Sequence, residues 1–95
     1  MRVVDKILTY QAVLTPEDGG WVVSVPDIRG CHTEGDTVEE ARAMAEEAIT
    51  GILGVLADQG RPIPKPSTTV ALKPGEQAIS VTVHVPKPEG QTRSA

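Results

Sequence analysis

The chain has 95 residues, a net charge of −4 and 39 % apolar residues, with one Cys, one Trp, one Tyr and no Phe. That length makes one domain with a thin core of Val, Ile, Leu and Ala, short of spare stability, which favours an oligomer or an obligate partner. The acidic balance excludes a general nucleic-acid-binding surface, the lone Cys31 excludes an internal disulfide, and no apolar run approaches the roughly 20 residues of a membrane span. The N-terminal MRVVDKILTYQ has no signal-peptide pattern, so a cytoplasmic protein in a reducing compartment is expected.

From Lys6 to Leu14 the residues alternate, with Leu8, Tyr10, Ala12 and Leu14 on one face, which predicts a first strand. Thr15-Pro16-Glu17-Asp18-Gly19-Gly20 reverses the chain into an antiparallel second strand, Trp21 to Val25, through a loop longer than the two-residue ideal. Pro26 removes a ladder donor and ends that strand or moves it to an edge. After the tight connection Asp27-Ile28-Arg29-Gly30, Cys31-His32-Thr33 forms a short third strand that Glu34-Gly35-Asp36 breaks.

Thr37 is the expected N-cap of a helix, because Glu40 three residues on completes a Thr-x-x-Glu capping box. Val38, Ala41, Ala45, Ala48, Ile49, Ile52, Leu53 and Leu56 follow at helical spacing. The stripe runs from alanines to Ile and Leu, so the first half should approach the sheet more closely. Gly51 and Gly54 mark close packing or an early fray, and Gly60 stops the helix. Arg61-Pro62-Ile63-Pro64-Lys65-Pro66 forbids helix and favours an extended spacer leading back to the sheet. Thr68 to Leu72 pairs weakly, Lys73-Pro74-Gly75 turns, and Ile79, Val81, Val83 and Val85 alternate with Ser80, Thr82 and His84 in a last strand. The expected class is α+β, a small antiparallel-rich sheet with one main helix on one face in the order β-β-β-α-β. Residues 1–86 form the domain and 87–95 a flexible C-terminal tail.

Asp27, Glu34 and Asp36 could hold a divalent cation for nuclease chemistry, but each already has a local role in closing a turn, being solvated, or favouring the helix start. His32 and Cys31 are adjacent on an extended segment and so face opposite ways, which argues against a nucleophile pair. No Gly-x-Ser-x-Gly elbow or P-loop is present. No catalytic, cofactor or metal residues are therefore assigned. Exposure and charge select Glu34, Asp36, Glu39 and Glu46 as the surface for a protein partner. The last strand lacks charge between Ile79 and Val85; it either pairs internally with the first strand or, as an edge bearing Ile79, Val81 and Val83, pairs with another chain.

Tyr10, Asp18-Gly19-Gly20-Trp21, Val25-Pro26-Asp27, Gly30-Cys31, Gly35-Asp36-Thr37, Glu39-Glu40-Ala41 and Ile63-Pro64-Lys65-Pro66 together resemble the HicB antitoxin family across Lys6 to Pro66. Trp21 stands where that family usually has Tyr or Phe. The resemblance implies a degraded RNase H-like fold without working nuclease chemistry, which binds and neutralises a small basic mRNA-cleaving toxin, HicA, as a dimer or tetramer. Many members add a C-terminal DNA-binding domain, whereas the tail after Val85 has no helical pattern, so direct DNA binding is not expected here. Two other functions fit the same residues: a metal-dependent RNase H-like nuclease using Asp27, Glu34 and Asp36, and a stand-alone oligomeric ligand-binding module.

Overall fold

The computed structural model describes residues 5–86; the polar stretch read as a tail, 87–95, lies outside the described residues. The described residues form β1 (Asp5–Glu17), β2 (Gly20–Ser24), β3 (His32–Gly35), α1 (Val38–Asp58) and β4 (Gln77–Pro86). The class and order are those expected. All pairings are antiparallel, and the sheet order is β3-β2-β1-β4.

β1 is longer than the alternation suggested and pairs on both sides: Leu14 lies opposite Val23 and Gln77, and Glu17 opposite Gly20. Pro16 is tolerated because β4 has already ended at Gln77, so the missing N–H costs no bond on that side. The hairpin loop is correspondingly shorter than expected. Only Asp18 and Gly19 remain between the strands, both at positive φ (49° and 83°), a type I′ turn whose twist matches that of the strands. β3 also runs beyond the expected stop, since Glu34 and Gly35 pair with Val22 and Trp21. Thr68 to Leu72 forms no strand.

The helix start is built as a capping box with one change of partner. Thr37 Oγ1 accepts from the Glu40 N–H at 3.0 Å, while the Glu40 carboxylate reaches back to the N–H of Asp36 at 2.6 Å rather than to that of Thr37. Such a cap stabilises a helix by about 1 kcal/mol. At the other end, the N–H of Gly60 donates to Ala57 and that of Arg61 to Leu56, the paired bonds of a Schellman stop. Gly51 and Gly54 neither pack closely nor fray the helix: α1 continues through both, with open space where a Cβ would stand.

One face of the sheet packs against α1. Tyr10, Ala12 and Leu14 of β1, Val23 of β2, and Val81, Val83 and Val85 of β4 are buried with Ala41, Ala45, Ile49 and Leu53. On the other face the strands are joined by polar pairs, Thr9 with Thr82 and Gln11 with Ser80, both at 2.9 Å. The tightest point between the layers is Gly35, where an added Cβ would lie 2.6 Å from the backbone nitrogen of Ala41. Backbone cannot yield at that distance. Gly35→Ala is therefore expected to destabilise the fold by about 1–3 kcal/mol, the usual cost of overpacking, whereas Gly54→Ala should leave stability unchanged or raise it by up to ~1 kcal/mol. Urea unfolding of the two variants beside the parent checks this pair.

Candidate interaction surface

The residues considered for metal chemistry are not brought together. Asp27 accepts two hydrogen bonds from Ser67, from its N–H at 2.6 Å and its hydroxyl at 2.8 Å. Glu34 and Asp36 instead line a cleft beside the β1–β2 turn, and among the described residues no group of three His, Cys, Asp or Glu side chains is placed to hold a metal ion. Cys31 is buried and His32 exposed, as their alternation requires.

Asp27 and Tyr10 together fix the proline-rich return. The Tyr10 hydroxyl donates to the Pro64 carbonyl at 2.5 Å, and Ile63 packs against the core. This strap carries the chain from the end of α1 past the sheet, toward the turn that opens β4. There the Glu76 carboxylate accepts from the Lys73 N–H at 2.7 Å and the Thr15 hydroxyl at 2.7 Å, and these bonds hold its pKa below the ordinary value.

The cleft that receives Glu34 and Asp36 has a volume of about 320 Å³. It adds Glu17 and Asp18, which the sequence pattern assigned only to the hairpin, and Trp21, which is half-buried. The register explains this: Glu17 pairs with Gly20, and Trp21 with Gly35, so the β1–β2 turn lies beside the end of β3. Four carboxylates lining one cleft suit a cationic group of a partner. Glu39 and Glu46 are exposed on α1, and neither lines this cleft.

β4 pairs internally with β1 and is at the same time a sheet edge. The side chains of Val81 and Val83 are buried beneath α1 and Ile79 is partly buried, so an incoming strand would meet backbone rather than these residues. Arg42, which no sequence pattern singled out, donates from Nη1 to the Ser80 carbonyl at 2.6 Å. No local spacing marks this contact, because the acceptor is a backbone carbonyl 38 positions along the chain.

The family model for the HicB-like antitoxin of bacterial toxin-antitoxin systems matches residues 10–87. The chain belongs to this family. Antitoxin HicB 2 of Photorhabdus laumondii is 38 % identical over 65 residues, covering 68 % of this chain and 47 % of that protein, so the chain spans about half the length of this HicB relative. The N-terminal domain of the Burkholderia pseudomallei antitoxin HicB superposes with a TM-score of 0.67 at 28 % identity, covering 78 % of this chain and 95 % of that one. A chain of the HicA3 and HicB3 toxin-antitoxin complex superposes with a TM-score of 0.61 at 26 % identity, covering 82 % and 98 %. Among the described residues of this HicB-like chain, no helix is long and apolar enough to cross a membrane.

Burial raises the Tyr10 pKa, with a smaller push from the Asp27 charge. The folded state thus holds the phenolic proton more tightly than the unfolded chain. The resulting stability is fully present below the usual tyrosine value of about 10 and is lost as pH rises through the higher folded value. Melting curves from neutral to strongly alkaline pH should show this loss in the parent and a shallower one in Tyr10→Phe. At neutral pH the variant should be less stable by about 0.5–1.5 kcal/mol, the worth of one hydrogen bond.

Proposed function

We propose that this HicB-family domain neutralises a small HicA-type mRNA-cleaving toxin in the cytoplasm, by protein contact rather than by catalysis. The observation that carries the reading is the convergence of Glu17, Asp18, Glu34 and Asp36 beside Trp21 on a HicB fold. A basic toxin offers Lys and Arg to such a cleft, and complementary potential both speeds the encounter and fixes its orientation. Glu39 and Glu46 extend the acidic surface along α1 and act as its rim, where charges affect association rate more than affinity.

The reading includes self-association through the β4 edge, giving a dimer or tetramer. Its support is the length and neutrality of that edge: between Gln77 and Val85 the one titratable side chain is that of His84. Arg42 then acts as a brake, because its bond to the Ser80 carbonyl has to open before a second strand pairs there.

Two measurements test this role. Co-expression with the protein encoded beside this chain, followed by capture and titration, should yield a complex. Glu34→Lys with Asp36→Lys should weaken it at least 10-fold, about 1.4 kcal/mol, and Glu46→Lys should act mainly on the association rate. Absence of a complex with any small basic neighbouring product rejects the toxin-binding role. In sedimentation experiments Arg42→Ala should shift the chain toward larger species; a monomer in both forms rejects the β4 interface.

A further inference from the structure

The opposite edge of the sheet has a different character. β3 has four residues and is the outermost strand, while α1 above it has 21. At 1.5 Å per residue the helix is about 31 Å long, against roughly 13 Å of strand. The C-terminal half of α1 buries Ile49 and Leu53 on the sheet but leaves one flank, beside β3, overhanging the sheet edge. Beneath the overhang is a groove of about 430 Å³ whose wall is Ala48, Gly51, Ile52, Val55 and Leu56 and whose floor reaches His32. Val55 is 54 % exposed.

The strand beside this groove has free pairing capacity. The Val25 N–H donates to the Cys31 carbonyl at 3.1 Å, so residues 31, 33 and 35 direct their backbone groups toward β2. By the alternation of antiparallel ladders, the N–H and C=O groups of His32 and Glu34 point away from β2, along the groove. Backbone pairing at the edge and alternate side chains set into an apolar wall are the two parts of β-strand addition.

We propose that β3 and the overhanging half of α1 accept an extended segment of a partner protein as a fifth strand, with small apolar residues at alternate positions and Lys or Arg at its ends. This rests on the partner-binding reading above and names where, and in what conformation, the partner engages. Charge selects the occupant. Glu47 lines the groove and Glu34 the adjoining cleft, so the edge offers carboxylates to a basic segment. A second copy paired here would bring its own Glu34 and Glu47 to the same seam, whereas β4 carries no such charge. Gly51 shapes the site, because no atom lies within 4 Å of where its Cβ would stand, and any larger residue projects into space the segment needs.

The test uses two variants that spare the fold. His32→Pro deletes an outward N–H while leaving the β2 ladder intact, and Gly51→Leu fills the groove from an open helix position. In the complex with the small basic protein encoded beside this chain, amide exchange at His32 and Glu34 should slow at least 10-fold. Each variant should weaken the complex at least 10-fold with unchanged circular dichroism and melting. If the complex forms with parental affinity in both variants and those two amides stay unprotected, strand addition is refuted while the partner reading stands. If no complex forms, the partner reading fails, and a capped Lys-Val-Thr-Val-Lys peptide at millimolar concentration decides the groove. Protection of His32 and Glu34 by that peptide supports the site, and its absence overturns it.

Discussion

The contact between Gly35 and the first turn of α1 fixes the rest of the domain. At this point β3 and the helix backbone meet with no side chain between them, and the capping box of Thr37 and Glu40 holds the helix start against the strand it has just left. From that fixed end the buried stripe grows from Ala41 and Ala45 to Ile49 and Leu53. The acidic cleft lies beside this fixed end, where the register brings the β1–β2 turn next to Asp36, and the apolar groove lies along the later turns of α1.

The chain's route after the helix depends on two polar side chains. Tyr10 and Asp27 hold the Pro64 and Ser67 segments, so a stretch with no secondary structure of its own still delivers β4 to the far side of β1. Asp27 has the chemistry of a metal ligand and the position of a strap anchor. Each of its two carboxylate oxygens accepts one hydrogen bond from Ser67, which ties β2's exit to the strap.

Much of this was legible in the sequence because it is local. The Tyr10, Ala12 and Leu14 alternation, the Thr37 cap and the Ile49 and Leu53 stripe are patterns within a few residues, and each appears as expected. The length of β1 was not legible, because Pro16 reads as a breaker unless it is known that β4 ends before reaching it. The two-residue turn is illegible for the same reason: once Thr15 to Glu17 belong to the strand, Asp18-Gly19 is an ordinary I′ pair. Of the acidic set, Glu34 and Asp36 share a cleft because strand register brings the β1–β2 turn beside them, and no spacing rule reports that Glu17 and Asp18 join them. Arg42 escaped notice because its partner is a backbone carbonyl 38 positions away.

The central position of β1 also sets the order in which the domain can be completed. Its neighbour on one side, β2, follows after a two-residue turn, but its neighbour on the other is the last strand, with Asp5 opposite Pro86 and Leu14 opposite Gln77. On a ribosome, the hairpin, β3 and α1 can assemble while the sheet still lacks its fourth member. Until β4 emerges, the longest strand of the protein presents a bare flank, and Tyr10, Ala12 and Leu14 lack part of their cover. Closure of that flank is the long-range step, and such contacts form slowly. Every residue that lines the acidic cleft lies between Glu17 and Asp36, whereas the buried core takes Val81, Val83 and Val85 from β4, so the cleft draws on local chain and the core on both ends of the domain.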